Sequence, residues 1–219
     1  MLELSVIQKV AVWLLPVLFA ITLHEAAHAW MANRLGDSTA KMLGRVTFNP
    51  IKHIDLVGTI LVPIAVAVLS NFSFIFGWAK PVPINWQQLR NPRRDTAIVG
   101  AIGPLSNIFM AFLWAGILKI ATFLDPVHSN IGLFLFLSGQ AGIIINLILA
   151  YLNLIPIPPL DGSRVVMGFL SPKQTITYLK IERYGLFIFL LLVFSGALYY
   201  LISPPLNLTM NIIRWVFGF

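Results

Sequence analysis

The sequence predicts an all-α, polytopic membrane protein, and two observations lead to that prediction. Of the 219 residues, 58% are hydrophobic and only 11% are charged, whereas a soluble domain carries about 25% charged residues. Four stretches carry no charge at all: residues 56–79, 96–118, 129–160 and 184–213. Each is longer than the roughly 20 residues that cross a bilayer. We therefore predict one integral-membrane domain over residues 1–219, with about five to six hydrophobic segments and a small β-hairpin or re-entrant element.

The first apolar helix is expected over residues 5–33, with Gly36 as its stop signal. This segment has no small-residue cleavage site, so we interpret it as a retained span rather than a signal peptide. The polar loop that follows continues to residue 53. Within that loop, the alternation of residues 42–48 predicts a short strand or hairpin.

Residues 56–76 allow two alternatives. The loops on either side of them, residues 34–53 and 77–95, are both strongly basic. The positive-inside rule favours a cytoplasmic position for both loops, which would make the segment re-entrant, with Pro63 and Gly58 permitting breaks. The alternative is an ordinary span that leaves one basic loop outside. In either case we place loop 34–53 on the cytoplasmic side.

Two further helices are expected over residues 96–123 and 131–154, joined by a short loop. Three prolines within residues 156–159 prevent the second helix from continuing. A last span is expected over residues 184–202, where a Pro-Pro pair follows and should end it. The remaining residues, 206–219, are predicted to form an interfacial tail.

The net charge of +7 is interpreted as the result of basic cytoplasmic loops. A nucleic-acid-binding surface is therefore not predicted, and the expected surroundings are the lipid bilayer. The chain contains no cysteine, which excludes disulfides and thiolate metal sites. Any bound zinc must be held by His, Asp or Glu.

A His-Glu-Ala-Ala-His run from His24 to His28 lies within the first apolar segment. On a helix, histidines four residues apart share one face, so both imidazoles can reach one metal ion. Glu25 lies beside them and is placed to act as a general base toward a water molecule at the metal. Because this motif is typical of zinc hydrolases, its position in an apolar segment indicates hydrolysis within the bilayer.

Asp161 is the predicted third metal ligand. A catalytic zinc usually has three protein ligands, and the other His and acidic residues lie near helix termini, in basic loops or in surface pairs. Asp161 instead follows a long uncharged stretch and stands beside Gly162 at a proline-broken helix end. Ionisable residues at membrane depth are costly and usually functional, which favours this choice.

These elements together resemble the site-2 protease family of intramembrane zinc metalloproteases. That family combines a His-Glu-x-x-His helix with a later Asp-Gly that follows an Asn- and Pro-rich helix end, matched here by residues 24–28 and 153–162. A Gly-Pro-x-x-Asn element between them is matched by residues 103–107. The resemblance covers about residues 10–170, is strongest to the compact bacterial branch without a PDZ domain, and leaves residues 184–219 as a C-terminal span and tail.

The resemblance implies an endopeptidase that cleaves transmembrane segments of membrane-anchored proteins, as in regulated intramembrane proteolysis or the clearance of signal-peptide remnants. The expected partner is a single-span membrane protein as substrate. The expected location is the cell (inner) membrane, with the active site open toward the cytoplasm. The hairpin or re-entrant element would then lie near the active site.

The resemblance also implies roles for particular residues. One Zn²⁺ per chain would be held by the two motif histidines and Asp161, with Glu25 as the catalytic base. Asn153 and Asn107 would donate hydrogen bonds to the substrate or to the oxyanion.

Three other functions stay open at this stage. A transporter or ion carrier with a midplane metal or proton site would fit the broken helices, but it leaves Glu25 unexplained. A membrane zinc peptidase of the prenyl-protein processing type would need a downstream glutamate ligand, for which Glu182 is the candidate. An inactive scaffold is disfavoured because the three ligands and the base are all present.

Overall fold

The described part of the chain is built from helices, as expected where apolar segments must satisfy their own backbone hydrogen bonds. The computed structural model describes residues 4–62, 65, 77 and 80–219, and no residue in these ranges forms a β-strand. The described α-helices are α1 (Val6–Arg34), α2 (Thr39–Met42), α3 (Pro92–Thr122), α4 (Asn130–Asn153), α5 (Asp161–Met167), α6 (Pro172–Leu179), α7 (Gly185–Phe194) and α8 (Ala197–Phe217).

Helix α1 carries the histidine motif and closely matches the predicted residues 5–33. It begins with a capping box, in which the side chains of Ser5 and Gln8 each bond the other's backbone N–H. It ends at Arg34, and the positive φ of Gly36 (120°) turns the chain away. The motif therefore lies in the C-terminal half of a long, continuous helix.

Three described helices are long and apolar enough to cross a membrane, namely α1, α3 and α4, or up to four if the bent pair Pro172–Phe194 and Ala197–Phe217 is one span. The prediction of five to six segments is not confirmed. Residues 56–61 form a short π-helix, but most of the segment 56–76 lies outside the described residues. The choice between a span and a re-entrant segment therefore stays open.

Helices α3 and α4 pack closely because small residues line their contact. Gly142 of α4 lies against the indole ring of Trp114, and Gly139 lies against Leu118. Small residues at such positions allow helix backbones to approach each other in a membrane. The core around this contact also includes Leu147. Helices α1, α5 and α8 pack against the α3–α4 pair.

The predicted hairpin over residues 42–48 is not confirmed. The described chain instead ends the short helix α2 at Met42 and turns at Gly44, whose φ of 64° is left-handed. The backbone N–H of Arg45 then donates back to the carbonyl of Ala40 at 2.8 Å. This helix-ending turn uses the backbone groups that a strand would need for pairing.

The last span, predicted over residues 184–202 with its end at the Pro204–Pro205 pair, is interrupted earlier in the chain. The break falls at Gly196, where a φ of 73° separates α7 from α8, because glycine adopts this conformation without steric cost. Helix α8 then continues through Pro204 and Pro205. The missing N–H groups of these two prolines are tolerated in the helix and do not end it.

Most of the C-terminal residues 206–219 belong to α8, which packs on the core, and their interfacial position stays a prediction. Ile213 is fully buried in the cluster that contains Trp114 and Leu147. The hydroxyl groups of Tyr151 and Thr209 also share a hydrogen bond between α4 and α8. These contacts explain why α8 persists beyond its prolines.

Substitution of Gly142 by alanine should destabilise the α3–α4 contact. A Cβ there would overlap the Trp114 ring, and overpacking of this kind costs about 1–3 kcal/mol. The matched control is Gly116→Ala on α3, where the nearest atom would be 3.8 Å away and removal of a helical glycine stabilises by up to about 1 kcal/mol. Thermal unfolding in detergent should show a lower midpoint for G142A only, and equal midpoints would contradict this packing.

Candidate metal centre

Three ligand atoms from distant parts of the chain meet at one point. The Nε2 atoms of His24 and His28 lie 3.1 Å apart. The Oδ2 atom of Asp161 lies 3.1 Å from the first and 3.2 Å from the second. Ligands about 2.0–2.2 Å from a tetrahedral zinc ion are themselves roughly 3.3 Å apart, so the observed spacing fits one such ion. The donor set, two imidazoles and one carboxylate, also suits zinc.

The proline-rich break after α4 brings Asp161 to the histidines. Helix α4 ends at Asn153, and α5 begins at Asp161 itself. Gly162 fits tightly against the Leu154 carbonyl, where a Cβ would overlap it. The hydroxyl of Ser163 donates to the Leu160 carbonyl at 2.6 Å. These contacts close the break into a compact turn that directs the carboxylate toward α1.

Hydrogen bonds at the opposite ring nitrogens orient both histidines. His24 Nδ1 lies 2.6 Å from Oδ1 of Asn107, and His28 Nδ1 lies 2.7 Å from the backbone carbonyl of Val99. Carbonyl oxygens only accept, so each Nδ1 must carry the proton and each Nε2 offers its lone pair. This is the arrangement that metal-binding histidines usually show.

The cluster is largely withdrawn from solvent. His24 and His28 are 8% and 6% exposed, and Asp161 is half-buried. With both Nε2 atoms unprotonated, the three ligand atoms are all hydrogen-bond acceptors, which favours a bound cation between them.

Gly103 makes room for the two imidazoles. A Cβ at this position would overlap His28 Nε2 and would lie 2.7 Å from His24 Cε1. Helix α3 can therefore approach α1 at the metal cluster only with glycine at this position. The glycine of the Gly-Pro-x-x-Asn element is therefore required because a side chain at its position would overlap the two imidazoles.

Glu25 is half-buried beside the cluster and has a partner of its own. Its Oε2 atom accepts a hydrogen bond from the backbone N–H of Val82 at 2.7 Å. The surrounding segment is held to the end of α1 because Asn85 N–H donates to Asp37 at 2.7 Å. A guanidinium N–H of Arg45 also donates to the Lys80 carbonyl at 2.9 Å. Sequence reasoning missed Val82, since a backbone donor leaves no pattern of side chains.

The structure places the two predicted asparagines differently from each other. Asn107 is fully buried, and its amide group donates to the Ala20 carbonyl at 3.1 Å and to Asn146 at 2.9 Å. With both N–H groups used inside the protein, this arrangement does not support the predicted donation to substrate or oxyanion. Asn153 is half-buried and donates to the Leu149 carbonyl at 3.0 Å. Because this bond uses one of its two amide N–H groups, its role toward substrate stays a prediction.

An apolar bundle of helices with a His-His-Asp cluster and an adjacent glutamate defines a membrane metallopeptidase. The model of peptidase family M50 matches residues 114–196, a range that contains Asp161 and the break before it. "Putative zinc metalloprotease YwhC" of Bacillus subtilis strain 168 is 36% identical over 199 residues, which cover 87% of this chain and 84% of that protein. The chain belongs to peptidase family M50.

More distant relatives agree with this assignment. "Putative zinc metalloprotease Rip2" of Mycolicibacterium smegmatis is 29% identical over 204 residues, which cover 92% of this chain and 71% of that protein. The protein of the same name from Mycobacterium tuberculosis H37Rv is 25% identical over 213 residues, which cover 97% of this chain and 71% of that protein. No solved structure gives a significant match. The resemblance to the site-2 protease family is thereby confirmed, and the names of these relatives agree with the predicted zinc cofactor.

Family membership also decides among the alternatives. A transporter or ion carrier has no support from a chain that belongs to a peptidase family. Glu182, the ligand that a prenyl-protein processing peptidase would need, is exposed in the short 3₁₀ helix Lys180–Tyr184. Among the described residues, the metal-ligand cluster consists of His24, His28 and Asp161.

Substitution of Gly103 by alanine should abolish metal binding, because the added methyl group would overlap the His28 Nε2 atom that faces the cluster. The measurement is the zinc content of purified protein by elemental analysis. Gly116→Ala, in the same helix with open space around it, is the control and should keep its zinc. A G103A protein with full zinc content would show that the histidines do not bind metal in this arrangement.

Proposed function

We propose that this M50 peptidase is a zinc-dependent intramembrane endopeptidase that hydrolyses peptide bonds in transmembrane segments of membrane-anchored proteins. The observation that carries the proposal is the position of the site. His24, Glu25 and His28 lie on a helix long and apolar enough to span a bilayer, and Asp161 meets them from a break after a second such helix.

The residues divide into ligands and a base. His24, His28 and Asp161 would hold one zinc ion per chain. When bound, zinc would lower the pKa of a water molecule to about 7 and polarise the scissile carbonyl. Glu25 takes the proton of the attacking water and returns it to the leaving amine. The Val82 N–H holds the Glu25 carboxylate in one orientation while it does so.

The arrangement of charges supports an opening toward the cytoplasm. Helices α1 and α3 run antiparallel, since His24 contacts Asn107 while His28 contacts Val99. The C-terminal end of α1, with Arg34, and the N-terminal end of α3, with Arg93 and Arg94, therefore lie on the same side. The positive-inside rule gives that side to the cytoplasm.

The depth of the site follows from helix geometry. His28 is six residues from Arg34, which corresponds to roughly 9 Å along a helix axis. A site at that depth can receive water from the cytoplasmic side and still reach a peptide bond within the membrane. We propose that the protein lies in the cell (inner) membrane. Its substrate would be a single-span membrane protein. Residues 1–219 would form one membrane domain that carries out the cleavage.

Substitution of Glu25 by glutamine should lower the rate of cleavage by about 10²–10⁴-fold, because the amide cannot accept the water proton. Zinc content should stay near that of the wild type, since Glu25 is outside the ligand cluster. The assay is cleavage of single-span membrane peptides in liposomes by the purified protein. Glu182→Gln makes the same chemical change at an exposed carboxylate and should cleave normally. Cleavage at the normal rate by E25Q would exclude Glu25 as the base.

Substitution of Val82 by proline tests the contribution of the backbone donor. Val82 lies between Pro81 and Pro83 in a segment without regular secondary structure, and proline removes the N–H that bonds Glu25. A hydrogen bond to a charged group is worth about 1.5–3 kcal/mol, so kcat should fall by roughly tenfold or more. Val82→Ala keeps the N–H and is the control. Equal kcat values for V82P and V82A would refute an orienting role for this bond.

A further inference from the structure

A chain of buried hydrogen bonds leads from the metal cluster into α4, and the mechanism above does not use it. His24 Nδ1 donates to Asn107 Oδ1 at 2.6 Å, and Asn107 Nδ2 donates to Asn146 Oδ1 at 2.9 Å. Asn146 Nδ2 donates in turn to the carbonyl of Gly142 at 2.8 Å. Both asparagines are fully buried. The path therefore links α1, α3 and α4 through two asparagines that solvent does not reach.

The backbone carbonyls that end this series of hydrogen bonds fix the direction in which each bond is donated. The carbonyls of Gly142 and Ala20 can only accept hydrogen bonds, so the nitrogen of each asparagine amide must face them. Asn146 consequently presents its oxygen to Asn107, and Asn107 presents its oxygen to His24. An Asn107 amide turned the other way would face His24 Nδ1 with a donor. The proton of His24 would then move to Nε2, the atom that faces the metal cluster.

We propose that Asn146 is a positioning residue of the metal centre, which acts through Asn107 to hold His24 in the form whose Nε2 can bind zinc. This inference rests on the proposed zinc site. His28 needs no such relay, because a backbone carbonyl that cannot rotate, that of Val99, bonds its Nδ1 directly. His24 depends on a side-chain amide that could turn over, and Asn146 opposes that turn together with the carbonyl of Ala20.

The surroundings of Asn146 favour this role over a simple helix-packing contact. Its neighbours Ile143 and Leu147 are buried in the apolar core, and an amide in such a setting must be hydrogen-bonded to be tolerated. The bond from Asn146 to Gly142 stays within α4. Among the described residues, the side chain of Asn146 is bonded to another helix through Asn107, the orienting group of His24.

The test is the zinc dissociation constant of the full chain in detergent, measured by competition with a chelator. Asn107→Leu should weaken zinc binding by about 10–100-fold, as loss of an orienting partner does, and Asn146→Leu by about tenfold. The double variant should bind zinc no more weakly than N107L, because Asn146 acts through Asn107. Ser138→Ala, also a buried polar residue of α4, is the control and should bind zinc like the wild type.

Asn146→Asp provides a rescue that does not depend on how well the leucine variant folds. In this apolar setting the carboxyl group should be protonated, so that its O–H donates to Gly142 and its carbonyl accepts from Asn107. Zinc affinity within about threefold of the wild type is expected. The circular dichroism melt of the metal-free proteins, recorded in parallel, reports the structural cost of each change separately.

The outcomes separate the two proposals. Wild-type protein that binds no zinc would overturn the proposed function and this inference together. Wild-type binding with unchanged affinity in N146L, or losses that multiply in the double variant, would overturn the relay alone. Lower melting temperatures with unchanged zinc affinity would identify the asparagines as packing groups and would also overturn it.

Discussion

The meeting of three ligand atoms within about one hydrogen-bond length of each other is the constraint on which the rest of the structure depends. Two of these atoms come from one turn of α1, and the third comes from a point far along the chain. They can meet only if α3 lies close against α1, which Gly103 permits, and if α4 stops where it does. Gly103, the prolines that follow α4 and the buried asparagine amides therefore all help to bring the three ligand atoms together.

In an apolar membrane environment, buried polar side chains raise the free energy of the fold unless they are hydrogen-bonded, and their hydrogen bonds then hold the site in one arrangement. Unpaired histidine and asparagine side chains in an apolar helix bundle would be costly, and here His24 Nδ1 and each amide nitrogen along the path from His24 to Gly142 have a partner. Once all of these groups are satisfied, any rearrangement would leave one of them unpaired. The site is thus held in its active arrangement before a substrate arrives, which reduces the cost of reaching the transition state.

Sequence reasoning predicted the parts of this site that depend on residue type and helical spacing. The histidine pair, Glu25 and Asp161 follow from a motif and from the rarity of charge in apolar segments, and the structure brings the three ligands together. The roles of Val82 and Asn107 could not be predicted in this way, because they depend on contacts between distant segments. Proline is the stronger stop signal in a sequence, so the pattern predicts a helix end at Pro204 and Pro205 and not at Gly196, whereas packing of Ile213 keeps α8 helical through both prolines.

The most direct measurement is zinc X-ray absorption spectroscopy of the purified protein, compared with an Asp161→Ala variant. We expect two imidazole nitrogens at about 2.0–2.1 Å and one carboxylate oxygen at about 2.0–2.2 Å in the wild type. We also expect D161A to keep the imidazole signal, to bind zinc more weakly and to lose the carboxylate. A zinc environment without two histidines, or one that does not change in D161A, would contradict the ligand set on which the whole account rests.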